Sequence, residues 1–386
     1  MKKIKAMTIF GTRPEAIKMA PLVKKMDASP YIENKVLVTA QHREMLDQVL
    51  QIFDIRPDFD LDIMKSRQTL VDITTSALSG ISGILADERP DIVLVHGDTT
   101  TTFAGALAAF YNKISSAHVE AGLRTYDKYQ PYPEEMNRCM TGRLCDLHFA
   151  PTAVSKGNLL RENVPEKSIF VTGNTVIDAL SHTIEKGYSF RCESLNSLDF
   201  KNRRVIAVTA HRRENLGKPL EDICLAIRDI TLAYPDVEIV YAVHKNPKVR
   251  DTVFDILGGR ERIHLTEPLD LKDMHNLMNN SFLVLTDSGG LQEEVPSMGK
   301  PVLVLRNVTE RPEGIAAGTL KLVGTKREDI FEKTALLLND RKEYEKMASS
   351  VNPFGDGRAS ERIVDAMLYY FGIKPERPED YEYPGL

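Results

Sequence analysis

Cysteine is scarce in this chain. The four that occur, Cys139, Cys145, Cys192 and Cys224, make no C-x-x-C pair and no zinc-like cluster with histidine. That excludes a disulfide scaffold and a structural zinc module, and reads as free thiols in a reducing cytoplasm. An excess of one charge is also missing. The 50 basic and 55 acidic side chains leave a formal charge of −5. A nucleic-acid partner would need a strongly basic footprint, so that class is excluded, while a local basic pocket for a phosphate is not. No stretch approaches the roughly 20 apolar residues of a membrane span. The short apolar run before Phe10 is cut by Gly11-Thr12-Arg13-Pro14, too early for a signal peptide. Internal repeats and low-complexity segments are absent from the sequence. These absences leave a cytoplasmic globular protein with no membrane or nucleic-acid partner.

What is present is alternation. The 386 residues suit two domains. Short apolar runs alternate with longer amphipathic stretches, the signature of βαβ units. Strands are expected at 4–10, 35–39, 91–96, 117–120, 147–150 and 169–172, with helices between them. After a linking region at 178–203, which starts as a helix, strands are expected at 205–209, 238–243, 263–265, 282–286, 302–305 and 320–323. The expected class is α/β, with two Rossmann-like, doubly wound domains. Their expected bounds are 1–177 and 178–358, with 359–386 a helix and loosely held tail packing back on the N-terminal domain. Ligands of such sheets bind outside the carboxyl ends of the strands. If the two sheets face each other, those ends line one interdomain cleft, and the active site is expected there.

The unusual residues fall at strand ends. Gly11-Thr12-Arg13-Pro14-Glu15 follows the first strand. Its glycine and helix start could offer N–H groups to an anion, with Arg13 as a forked cation, or it is an ordinary strand-to-helix turn. The motif is not G-x-G-x-x-G, so a dinucleotide cofactor is not expected. Asp98 follows His96-Gly97, Glu120 follows the next strand, and Glu134 opens the helix after Tyr132-Pro133. Asp98 alone would read as a helix N-cap. Three clustered acids raise one another's pKa and suit proton transfer near neutrality. They could also ligate a metal, but no histidine spacing matches, so acid–base chemistry ranks above metal. In the second half His211, Arg212 and Arg213 follow a strand and suit an anion. Thr286-Asp287-Ser288-Gly289-Gly290 then leads into a helix carrying Glu294. Ser288, Gly289 and Gly290 can present N–H groups to a diphosphate, and Glu294 can accept from a ribose diol. Arg311 follows a later strand and could close over the nucleotide.

Together F-G-T-R-P-E-A-I-K-M-A-P-L, H-G-D-T, H-V-E-A-G-L-R, P-Y-P-E-E-M-N-R, T-A-H-R-R-E-N, T-D-S-G-G-L-Q-E-E and T-E-R-P-E-G span nearly the whole chain in this order. The set resembles the non-hydrolysing bacterial UDP-N-acetylglucosamine 2-epimerases. The resemblance implies a GT-B fold and C2 epimerisation of UDP-N-acetylglucosamine to UDP-N-acetylmannosamine, for cell-surface polysaccharide, with no metal and no cofactor. It implies Asp98, Glu120, Glu134 and His211 as catalytic residues. Arg13, Lys18, Ser288, Gly289, Gly290, Glu294 and Arg311 match substrate-binding positions. Some members are activated by a second UDP-N-acetylglucosamine, for which Gln41, His42, Arg67, Arg212 and His244 are the matching positions. Glu44 departs from the Gln of some regulated members. A homodimer is also implied. Two rivals share these features: a hydrolysing epimerase that releases free N-acetylmannosamine, and a GT-B glycosyltransferase, which would need an acceptor but not three acids.

Overall fold

The computed structural model describes residues 3–40, 43–65 and 67–383. Seven strands build a first sheet: β1 Ile4–Phe10, β2 Ile32–Val38, β3 Phe59–Asp60, β4 Ile92–His96, β5 Ser115–Val119, β6 Leu147–Ala150 and β7 Ile169–Val171. Six build a second: β8 Arg204–Thr209, β9 Val237–Ala242, β10 Ile263–Thr266, β11 Leu283–Thr286, β12 Val302–Val304 and β13 Leu320–Leu322. Every pairing is parallel. The orders are β3-β2-β1-β4-β5-β6-β7 and β10-β9-β8-β11-β12-β13. Both are doubly wound, as the alternation predicts. The order reverses between β1 and β4 in one sheet and between β8 and β11 in the other. Those reversals are where loops splay apart and a ligand fits.

The sequence makes these layers for simple reasons. Parallel strands are covered by helices on both faces, so they read as unbroken apolar runs. β4 is buried at all five positions, and β8 at all but Arg204. The covering helices carry one apolar stripe. In helix Lys218–Ala233 that stripe is Leu220, Ile223, Cys224, Ile227 and Ile230, spaced as a 3.6-residue period requires. Each such side chain withdrawn from water contributes about 1.5–3 kcal/mol before entropy is counted.

The chain forms two compact units. One lies within Met1–His182 and Phe354–Glu382, the other within Thr183–Pro353. The segment after 370 departs from the expected loose tail. Tyr381 N–H donates to Val171 O at 2.6 Å, and Val171 N–H donates to Asp380 Oδ1 at 3.0 Å. Arg377 reaches Lys167 O at 3.0 Å, with its guanidinium 4.0 Å from the Phe170 ring centroid. The tail therefore covers β7, the exposed edge of the first sheet. The helix Ala359–Tyr370 is tied in at its start by Asp178, which accepts from the N–H of Ala359 and Ser360 at 3.1 and 2.7 Å.

Candidate active site

In the first unit the loops after β1, β4, β5 and β7 carry the polar residues. Gly11 is forced by crowding, since a Cβ there would sit 2.0 Å from Thr39 Oγ1 and 2.6 Å from Thr101 Oγ1. The expected anion cradle at this turn is occupied by the protein itself. Gly11 and Thr12 donate their N–H groups to Glu15 Oε2 at 3.1 and 2.8 Å. Glu15 Oε1 accepts from Thr99 and Thr102 hydroxyls at 2.7 and 3.1 Å. The G-T-R-P-E motif is thus a buried cap that ties the β1 loop to the β4 loop. Arg13 opens helix Arg13–Asp27, and Lys18 lies further along it.

Asp98 is not the N-cap of the helix that follows it. Thr99 caps it, accepting from Thr102 N–H. Asp98 instead pairs with the Arg138 guanidinium, and its carbonyl accepts from Asn137 Nδ2 at 3.0 Å. Arg138 is also 3.3 Å from Glu135 Oε2. Glu120 sits just past β5 with φ +61°, a left-handed conformation that a non-glycine residue adopts at a cost. Its carboxylate pairs with Lys18 Nζ and accepts from Asn174 Nδ2 at 2.9 Å. His96 Nε2 lies 3.7 Å from its other oxygen. Gly97, at φ +68°, leaves room for that oxygen, which would be 3.3 Å from a Cβ.

These surroundings push the acids apart. Burial raises the Asp98 carboxyl; Arg138 opposes this and the Glu120 charge adds to it. Burial would raise Glu120 too, but the Lys18 charge and the hydrogen bonds from Lys18 and Asn174 outweigh it and hold Glu120 well below the usual carboxylate range. Clustering predicts mutual raising; instead, one acid goes up and the other down, because Lys18, paired with Glu120, outweighs burial there, while Arg138 and the weaker pull of Lys18 do not outweigh it at Asp98. Burial also lowers His96 to about 4, so it is neutral at pH 7. Glu134 opens helix Glu134–Leu144, one turn before Arg138 on the same face, while Glu135 turns inward and accepts from the N–H of Thr125 and Tyr126 at 3.1 and 2.9 Å. Arg138, Asn174, His96, Glu135 and Glu15 thus join a set that the sequence drew with three acids.

In the second unit the loops after β8 and β11 are tied together by Asp287, which is fully buried. Its Oδ2 accepts from the N–H of His211 and Arg212 at 2.8 and 2.7 Å and from Asn215 Nδ2 at 3.0 Å. The exposed His211 ring stacks on His244, centroids 5.1 Å apart. Burial, then the His211 charge, lowers His244. Arg212 Nη2 lies 3.5 Å from where a Gly289 Cβ would be. Ser288 precedes helix Gly289–Glu294, so Gly289, Gly290 and Glu294 share one short element. Glu294 Oε2 is 3.0 Å from His275 Nε2. Arg311 pairs with the buried Glu293 and starts helix Pro312–Ala316.

The five positions matched to an activator fall in both units. Arg212 and His244 both adjoin His211 in the second unit, Arg67 lies in an exposed turn of the first, and Gln41 and His42, with the side chain of Glu44, lie outside the described residues. All four cysteines are free, and burial pushes the Cys145 and Cys224 thiols up to about 12, so these two are packing groups rather than nucleophiles. Among the described residues no group of three or more His, Cys, Asp or Glu is arranged to hold a metal, and no helix is long and apolar enough to cross a membrane.

The chain matches known proteins along most of its length. A family model described as UDP-N-acetylglucosamine 2-epimerase matches residues 24–368. The UDP-N-acetylglucosamine 2-epimerase of Bacillus subtilis strain 168 is 57% identical over 381 residues, 99% of each chain. Among solved structures, the S. aureus MnaA–UDP co-structure is 50% identical with a TM-score of 0.89, covering 99% of this chain and 100% of that one. The Neisseria meningitidis UDP-GlcNAc 2-epimerase bound to UDP-GlcNAc is 50% identical with a TM-score of 0.82, covering 94% and 99%. The two doubly wound sheets are those of the GT-B class expected from the motifs. On these matches the chain belongs to the UDP-N-acetylglucosamine 2-epimerase family.

Proposed function

We propose that this chain interconverts UDP-N-acetylglucosamine and UDP-N-acetylmannosamine by inverting C2, without net hydrolysis. One observation carries the reading most: neighbouring carboxyls at one strand-end cluster, Asp98 and Glu120, pushed in opposite directions. Two acids with separated pKa values are what paired proton transfer and charge stabilisation need.

The C2 proton is not acidic, so its loss is coupled to departure of UDP. The proton passes to a carboxylate, the C2–H electron pair forms a C1=C2 bond, and the C1–O pair leaves with the diphosphate. The products held on the enzyme are 2-acetamidoglucal and UDP. A proton then returns to C2 on the opposite face as the diphosphate oxygen re-forms its bond to C1. Asp98 and Glu134 exchange the proton. Glu120, kept ionised, faces the positive charge that develops at C1 and the ring oxygen. Arg13 and Lys18 hold the substrate. His211 stabilises the departing diphosphate, together with Ser288, Gly289, Gly290 and Arg311. Glu294 accepts from the ribose. The reaction takes place in the cytoplasm, an assignment that the four free thiols fit. A second UDP-N-acetylglucosamine as activator, engaging Arg212 and His244, and a homodimer complete the proposal.

A proton NMR time course in deuterated water tests it. Deuterium should enter C2 as the manno isomer appears, with no acceptor added. Accumulation of free N-acetylmannosamine with UDP would establish the hydrolysing reaction instead, and a requirement for an acceptor would establish a glycosyltransferase. Asp98→Asn should lower kcat about 1,000-fold while UDP affinity stays within about twofold, because Asp98 does not touch the nucleotide in this scheme.

A further inference from the structure

Glu294 does not stand alone. His275, on helix Leu271–Asn280, is 1% exposed and lies between two partners. Its Nε2 is 3.0 Å from Glu294 Oε2, and its Nδ1 is 2.6 Å from Thr183 Oγ1. An ionised carboxylate only accepts, so Nε2 carries the ring proton and donates it. Nδ1 then accepts from the Thr183 hydroxyl, which fixes the tautomer. The next residue holds the segment that supplies that hydroxyl: Asn276 Nδ2 donates to Thr183 O at 2.8 Å, and Asn276 Oδ1 accepts from Glu185 N–H at 2.9 Å. On the far side, Glu294 Oε1 is 3.3 Å from where a Gly290 Cβ would be. One oxygen is therefore committed to a buried histidine, and the other is set beside the glycine turn.

We propose that His275 is a positioning residue that orients the Glu294 carboxylate for a ribose diol and so makes the nucleotide grip prefer ribose to deoxyribose. The proposal rests on the reading of Glu294 as the ribose acceptor. A glutamate has three side-chain torsions, and a free one spends little time in the orientation that accepts from adjacent hydroxyls. A buried N–H···O bond from a ring that cannot turn removes that freedom in advance. Selectivity follows because an oriented, partly desolvated carboxylate loses a charge-assisted hydrogen bond when the 2′-hydroxyl is missing.

Calorimetric titration of the full chain with UDP and with 2′-deoxy-UDP tests this. The unsubstituted protein should bind UDP on the order of tenfold more tightly than the deoxy compound. In His275→Leu that ratio should fall to about two or less, mainly through weaker UDP binding. His275→Gln, which can still donate, should recover part of it. A purely structural role would weaken both ligands equally and leave the ratio unchanged, and that result overturns the proposal. Should His275→Leu fail to fold, Thr183→Val removes only the hydroxyl that sets the tautomer and should lower the ratio about threefold; an unchanged ratio there counts against the proposal. Glu294→Ala, which removes the acceptor, separates the two layers. If it keeps the full ratio, Glu294 is not the ribose acceptor and the underlying reading falls. If it loses the ratio while His275→Leu keeps it, only the positioning role falls.

Discussion

Glu15 holds a carboxylate where water is excluded and four donors converge, two N–H groups and two hydroxyls. Burial still wins, and its pKa is raised from the ordinary 4.5. The sign of the pH effect follows. Between the ordinary value and the raised one the folded state binds more proton than the unfolded, so stability falls as pH climbs through that interval. Below 4.5 the ionisation cost is absent, and above the raised folded value it is complete. Glu15→Gln has no charge to bury, and the threonine hydroxyls can reverse to accept from its amide. Urea unfolding from pH ~4 to ~7 should therefore show this variant gaining on the natural protein as pH rises. Glu15→Ala leaves the N–H groups of Gly11 and Thr12 without an acceptor and should cost about 3 kcal/mol near pH ~4, a difference that narrows as pH rises and the natural protein ionises Glu15. A flat difference between the natural protein and Glu15→Gln would mean that the donors cancel the burial. The same local logic separates Asp98 from Glu120, where burial prevails over the paired cation at the first acid and yields to it at the second.

At the scale of elements, the strand-end loops act as coupled pairs. β8 and β11 are neighbours in their sheet, and their last residues are joined by a 2.7 Å contact between the hydroxyls of Thr209 and Thr286. Asp287, one residue on, gathers three donors from the loop after β8 on one oxygen. Asp287→Ala orphans all three and should cost about 3 kcal/mol. Hydrogen exchange at the amides of His211 and Arg212 should quicken at least about tenfold, because they lose their acceptor. Protection unchanged at those amides would place the loop's order elsewhere. Much of this layout was legible in the sequence. Apolar runs placed the strands because both faces of a parallel strand are buried, and the acids stood out because they followed such runs. Boundaries shift where polarity intrudes: β2 starts at Ile32 rather than 35 because Glu33 is exposed and Asn34 and Lys35 are only partly covered. β3, two residues long, carries no periodicity to detect. The site was less legible. Arg138, Asn174 and His96 acquire their roles from partners that are distant in sequence, and no spacing reports that. The G-T-R-P-E turn looked open to an anion because nothing local reveals that Glu15 folds back onto it.

At the scale of the whole chain, the first unit is assembled from two separated stretches, Met1–His182 and Phe354–Glu382. Its sheet would otherwise end at β7 with the N–H and C=O of Val171 unpaired. An uncovered edge strand invites another chain to pair with it. The end of the chain supplies the cover: Asp380 and Tyr381 bond both groups, Arg377 stacks on Phe170, and Tyr381 is 8% exposed. Lys156 pairs with Asp380 at 3.1 Å and fastens the same stretch from a second helix. Removing residues 375–386 deletes the two backbone bonds at Val171, the Arg377 bonds to Lys167 O and Ile169 O, two cation–π contacts and one buried aromatic ring. Those losses amount to about 3 kcal/mol, which for a unit of this size lowers Tm by about 5–10 °C. Scanning calorimetry should find that drop, and light scattering of the truncated chain should find self-association through the bared edge. The acids lie in loops after β4 and β5 and in helix Glu134–Leu144, and only Asn174 follows the strand that the tail covers, so turnover measured well below the new Tm should change by less than about twofold. A truncated chain that melts unchanged would make the tail the loose segment its composition suggests. A truncated chain that stays folded but loses activity would tie the tail to the reaction, which none of its bonds to β7 predicts.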